Sequence, residues 1–173
     1  MSEFADFRRA KDSFFREGPD SPLAPEQRRG FASLDYFAEN PALRFAAKPE
    51  VLVDGGEVNI GLSTGDAATY RRWAKVSFEV EGAEVALTVF RNPESGELFL
   101  PFKDATASSG ETYGAGRYLD LHQLAGGELL LDFNYAYNPY CAYNEQWSCP
   151  LTPPENVLAV GIRAGENAFV KSQ

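Results

Sequence analysis

Residues 73–92, WAKVSFEVEGAEVALTVFRN, carry the pattern that decides the fold. Val76, Phe78 and Val80 alternate with Lys75, Ser77 and Glu79, the period of a strand with one dry face and one wet face. Gly82 turns the chain, and Val85, Leu87 and Val89 resume the alternation, so the stretch is predicted to be an antiparallel hairpin. The same period continues on both sides. Val51 to Val53 and Val58 to Leu62 read as short strands about the turn Asp54-Gly55-Gly56. After the NPESGE turn, LFLPF, GRYLDLHQL, LLLDFNYAY and NVLAVGIRA supply further strands. Short strands, tight turns and no strand–helix alternation imply a mainly β fold of the α+β kind. The expected form is an antiparallel β-barrel or curled sheet with N-terminal helices packed over it.

Those helices occupy residues 1–38. Ser2 can cap the first, and Gly18-Pro19 stops it. Phe4, Phe7, Ala10, Phe14 and Phe15 share one broad face, while Arg8, Arg9, Asp12 and Arg16 fall largely on the other, the pattern of a helix that lids a core. Pro25 suits the first position of a second, short helix, which Leu34, Tyr36 and Phe37 would dock. Residues 41–173 form the β part, and the 173 residues are expected to make one domain.

Composition excludes several functions. A net charge of −9 works against binding a nucleic-acid backbone or an anionic membrane surface, both of which are gripped through Lys and Arg. It is compatible with simple solubility or a salty cytoplasm. No run is long enough to cross a bilayer, and the N-terminus lacks the apolar segment of an export signal, so a cytoplasmic location is expected. In that compartment two cysteines are thiols by default. The excess is aromatic: 13 Phe, 8 Tyr and 2 Trp can fill a core and still line a pocket.

Residues 131–150, LDFNYAYNPYCAYNEQWSCP, are where such a pocket is expected. On a strand from Glu128 to Tyr137, Asp132 and Asn134 would be neighbours on one face. Both are poor strand residues that need a reason to be there, either as an ordinary wet face or as the lining of a polar cavity. Residues 138–156 follow as an unusually long connection with four prolines. Tyr140, Tyr143 and Trp147 argue that this loop is ordered, folding across a barrel mouth.

The succession PFKDATASSGETYGAGRYLDL, then LDFNYAYNPYCAYNEQWSCPLTPPEN, then AGE, resembles a prokaryotic family of unknown function, DUF1684. FRRAKDSFF and SPL near the N-terminus fit as well. The recurring positions here are Phe102, Asp104, Thr106, Thr112, Tyr113, Gly116, Arg117, Asp132, Phe133 and Asn134, followed by Tyr137, Asn138, Pro139, Cys141, Tyr143, Cys149 and Pro150. The resemblance marks a site and transfers no activity.

Arg117 can pair with Asp132, or with a carboxylate or phosphate of a ligand, and Asp120 is a rival for the same cavity. TASSGETYGAG lacks the lysine of a phosphate loop and reads as a flexible flap. Cys141 and Cys149 could supply two zinc thiolates, but the single histidine, His122, lies elsewhere and a structural site needs four ligands. A disulfide, or a plain buried role, is the other reading. Two functions survive. In the first, a tyrosine-lined pocket holds a small polar, planar, nucleobase-like ligand, drawing on Arg117, Asp132, Asn134, Tyr137, Asn138, Tyr113, Tyr143 and Trp147. Were it an enzyme, Asp132 or Asp104 would do the acid–base work. In the second, the same residues form a buried polar network in a structural or interaction module with no ligand. Nothing in the residues chooses a reaction, a cofactor or an oligomeric state.

Overall fold

A computed structural model describes residues 2–170. The hairpin is present: β4 (Ala67–Val80) pairs antiparallel with β5 (Ala83–Arg91), with Val76 opposite Leu87 and Phe78 opposite Val85. Its turn residues Glu81 and Gly82 have φ of 49° and 84°, both left-handed, as a two-residue turn between right-twisted strands requires. Glycine meets that demand at no cost, whereas Glu81 carries a Cβ into it. Ala74, Val76, Phe78 and Val80 are buried, and Lys75, Ser77 and Glu79 are exposed.

β4 organises the larger sheet. Its free edge takes both β2 (Glu50–Val51) and β3 (Glu57–Gly61), which pair with it rather than with each other. Beyond β5 come β6 (Leu98–Phe102) and β7 (Arg117–Leu119). The chain then bends at Asp120 and enters a second sheet, so the expected single strand GRYLDLHQL is split between two sheets. That second sheet runs β1 (Arg44–Ala47), β9 (Leu129–Asp132), β8 (His122–Gln123). All strand pairs are antiparallel. Among the described residues the two sheets stay separate and no barrel closes. Between them lies a core of Val76, Phe78, Leu87, Val89, Leu100, Phe102, Leu129, Leu131 and Phe133, which Ile162 and Ala164 complete.

Two other expected elements differ, each for a local reason. The strand expected from Glu128 to Tyr137 ends at Asp132, and Phe133–Tyr135 form a 3₁₀ turn. The Asp132 carboxylate accepts from the Asn134 backbone N–H at 3.1 Å and from its side-chain amide at 2.9 Å, a local bond that competes with the sheet ladder. Asp132 and Asn134 therefore do not share a strand face. In the stretch NVLAVGIRA, Asn156, Leu158 and Val160 bond the backbone of Lys103 and Ala105, but the Ile162 and Ala164 carbonyls turn to the Arg117 side chain, so no regular strand forms.

Helix α1 (Glu3–Glu17) starts where Ser2 Oγ accepts from the Ala5 N–H at 3.1 Å. Phe4 and Phe15 are buried, while Phe7 and Phe14 remain partly open. α2 (Pro25–Arg29) begins on its proline. Phe15, Leu23, Leu34 and Tyr143 make a second, smaller core that fastens α1 to the long loop. No helix among the described residues is long and apolar enough to cross a membrane.

Candidate functional site

Arg117 is fully buried, and nearly all its reach is spent on one irregular segment. Nη2 donates to the Ile162 carbonyl at 2.9 Å, and Nη1 donates to the carbonyls of Ala164 and, at 3.3 Å, Glu166. One guanidinium thus does what a neighbouring strand would have done. The partner carboxylate is Asp104, at 3.4 Å, in place of the expected Asp132. Burial pulls the Arg117 pKa down, and the adjacent Asp104 opposes that pull. Asp104 also accepts from the Thr106 hydroxyl at 2.7 Å and the Ile162 N–H at 2.6 Å. It also caps α3 (Ala105–Ser109), a short helix that takes the first four residues of the stretch TASSGETYGAG. Thr106 continues the chain to Thr112 at 2.9 Å.

The same segment delivers Glu166. Gly165, at φ 81°, has Ala136 and Phe133 backbone oxygens 2.7 Å and 2.8 Å from where a Cβ would sit, so only glycine lets the chain pass there. Glu166 is buried and accepts from the Asn138 N–H at 3.1 Å and from the Tyr143 hydroxyl, and it forms an ion pair with Lys11 of α1. Burial first, then the Glu166 charge, raises the Tyr143 pKa well above its ordinary value. Asn138 turns its amide to the Asn167 carbonyl at 3.0 Å. Asn134 exchanges two bonds with the Asn40 backbone, at 2.8 Å and 3.0 Å.

Lys11 leads from this network to the surface. Its ammonium lies 5.0 Å from the Tyr137 ring centre, at the floor of a groove of about 790 Å³ between α1 and the second sheet. Phe4, Phe7 and Phe14 form the helix wall. Leu130, Asp132 and Tyr135 form the sheet wall, with Arg44, Asp120, His122, Tyr137 and Tyr140 around them and Glu3 and Glu39 also lining it. Tyr135 meets Phe4 and Phe7 edge-on at 5.0 Å and 4.9 Å. The Tyr137 hydroxyl donates to Asp120 at 2.8 Å. Burial and the Asp120 charge push the Tyr137 pKa upward. Arg44 sits 3.8 Å from Asp132.

Of the residues the sequence singled out, Asp132 and Tyr137 line this groove, and Asp120, the rival, joins them. Arg117, Asp104, Asn134, Asn138 and Tyr143 are held in the buried bonds already described. Tyr113 lies away from the groove, its hydroxyl 3.6 Å from Cys141 Sγ. Trp147 donates to the Pro22 carbonyl at 3.0 Å and packs on Tyr140. Cys141 and Cys149 are free thiols, and among the described residues no group of three or more His, Cys, Asp or Glu could hold a metal ion. Lys11 and Glu166 were not named as site residues. Their only sequence signal was membership of FRRAKDSFF and AGE, stretches 155 residues apart.

The profile of a family described as Protein of unknown function (DUF1684) matches residues 29–167. The chain belongs to the DUF1684 family. The chain is also similar to an uncharacterized protein of Haloarcula marismortui solved by solution NMR. The two are 38% identical, the match covers 95% of this chain and 92% of that one, and the TM-score is 0.70. No curated protein matches. The DUF1684 profile spans Asp104, Arg117, Asp132, Tyr137 and Glu166 but stops short of Lys11. The similarity to the Haloarcula protein leaves fewer residues uncovered than α1 contains, so it reaches into the helix that closes the groove.

Proposed function

We propose that this DUF1684 protein binds a small polar ligand with a planar body in the groove between α1 and the second sheet. The observation that carries the reading is the groove itself: about 790 Å³, walled by aromatic rings, with Asp120, Asp132 and Lys11 placed to fix orientation. That volume falls within the several hundred Å³ usual for small-molecule sites, and rings with a few convergent polar groups are their usual lining. Phe7 and Phe14 offer ring faces, and Asp132 and Asp120 offer acceptors for the N–H groups of a nucleobase-like ligand. Asp104, Arg117, Asn134, Asn138 and Tyr143 serve as the scaffold beneath, since the protein's own groups occupy them.

A second reading, a structural module with no ligand, draws on that same saturation of the buried network. Native mass spectrometry of protein purified from its own host separates the two. A small organic mass retained in the native spectrum and lost on denaturation supports the binding reading, and Leu130→Trp, which fills the groove from the sheet side, should abolish it. A mass retained equally by Leu130→Trp places the ligand elsewhere, and identical native and denatured masses favour the structural module.

A further inference from the structure

The long loop carries a second chemical feature, apart from the groove. Cys141 lies in a 3₁₀ turn, Tyr140–Ala142, and its backbone N–H donates to Cys149 Sγ at 3.3 Å. That bond sets the Cys149 sulfur against the Cys141 backbone, at that turn of the loop. Neither sulfur is free to wander. Cys149 is pinned to the end of β3: its N–H donates to Ser63 Oγ at 3.0 Å, and its carbonyl accepts from the Ser63 N–H at 2.9 Å. The next residue bridges to Leu62. The Tyr113 hydroxyl lies 3.6 Å from Cys141 Sγ. The pair is 5% and 8% exposed, while Glu145–Ser148, the part of the loop between them, is exposed.

We propose that Cys141 and Cys149 form a redox site, in which a small hydroperoxide oxidises Cys141 and Cys149 resolves the product into a disulfide. The Cys141 thiolate attacks the outer oxygen of the hydroperoxide. A sulfur–oxygen bond forms, the O–O bond breaks, and the departing alkoxide or hydroxide takes a proton from solvent, leaving a sulfenic acid. Cys149 sulfur then attacks the Cys141 sulfur. The S–S bond forms, the S–O bond breaks, and hydroxide leaves with the Cys149 proton as water. Two thiols and one hydroperoxide become one disulfide, one alcohol or water, and one further water.

The order of attack follows from the asymmetry of the pair. The Tyr113 hydroxyl lies against Cys141 sulfur, where it can donate to a thiolate, whereas Cys149 sulfur accepts from a backbone N–H. The neighbouring Cys149 draws the Cys141 pKa below its ordinary value, burial opposing, while Cys141 and burial push that of Cys149 up. An aromatic and mostly buried setting would otherwise leave both thiols inert.

The test uses the full chain and hydrogen peroxide. The treated protein should lose two hydrogens, yield a proteolytic fragment joining Cys141 to Cys149, and regain both hydrogens with dithiothreitol. Dimedone, which traps sulfenic acids, should label Cys141 in Cys149→Ser and leave Cys149 unlabelled in Cys141→Ser. Iodoacetamide on the untreated wild type needs no substitution, and it should modify Cys141 about tenfold or more faster than Cys149. Failure to form the joined fragment overturns the site. Labelling of Cys149 in Cys141→Ser, or equal alkylation rates, overturns the assigned order. None of these outcomes depends on whether the groove binds a ligand.

Discussion

The Arg117 network and the α1 groove are built from the same residue types and use them in opposite ways. In the network, charged groups are sealed from water and the chain itself supplies their partners: Arg117 holds three carbonyls, Asp104 holds a hydroxyl and two amides, and Glu166 holds Lys11, Tyr143 and Asn138. In the groove, the Glu3 and Glu39 carboxylates have no hydrogen bond or ion pair among the described residues, and Asp132 is shared between a turn and an exposed Arg44. A saturated polar cluster holds a fold together, whereas an open one has capacity left for something else. Lys11 belongs to both, its ammonium paired below with Glu166 and facing the Tyr137 ring above.

If the network is structural, breaking it should produce the largest effect. Arg117→Met leaves Asp104 buried without its cation and frees three carbonyls, an expected loss of about 3–5 kcal/mol in urea unfolding. A loss under about 1 kcal/mol would dissolve the contrast between the two regions. Alkaline pH should come next. Tyr143 has its pKa raised in the folded state, so fold and unfolded chain bind the same protons below pH ~10. Above that, the unfolded chain ionises while the folded one keeps its proton, and stability falls by about 1.4 kcal/mol per pH unit for each such tyrosine. Tyr118 and Tyr137 are raised likewise. Tyr143→Phe should remove one tyrosine's share of that slope, and an unchanged slope would mean that Tyr143 does not stay protonated in the fold.

Smaller effects belong to the groove side. Asp132→Ala removes the acceptor that caps the 3₁₀ turn, at a cost of about 1 kcal/mol, which a shift in the urea midpoint would register. Phe7→Ser changes a partly exposed ring and should move stability least, by about 0.5 kcal/mol, while eliminating any retained ligand mass. A large destabilisation by Phe7→Ser would make the groove wall a second core and collapse the comparison from the other side.

How much was legible follows from where the deciding bond partners lie. The hairpin 73–92 and helix α1 were readable because their causes are local: a period of two closed by Glu81-Gly82, and a period near 3.6 capped by Ser2. The strand end at Asp132 was missed although its cause is local too, because an aspartate that bonds two residues onward looks in sequence like one more polar position of an alternating strand. The segment 156–164 was misread for a different reason. Its Val, Leu and Ile pattern suits a strand, and its first half does bond the Lys103 and Ala105 backbone, but at Ile162 the partner that arrives is the Arg117 side chain, 45 residues away. Asp132 and Tyr137 reach the groove, while Asn134, Asn138 and Tyr143, close by in the sequence, turn inward, because the 3₁₀ turns at 133–135 and 140–142 reset which way each side chain points.

The sequence by itself determined the mainly β antiparallel character, the helical N-terminus, the family and the segment on which polar and aromatic residues converge, because periodicity, caps and motifs act over a few residues. Only the tertiary structure decided that the sheets remain two, that Arg117 meets Asp104, and that Lys11 meets Glu166 to join the buried network to an open groove. Those pairings depend on which distant segments the two cores press together, and hydrophobic burial is non-directional: it sets what is inside without naming which polar partners meet there.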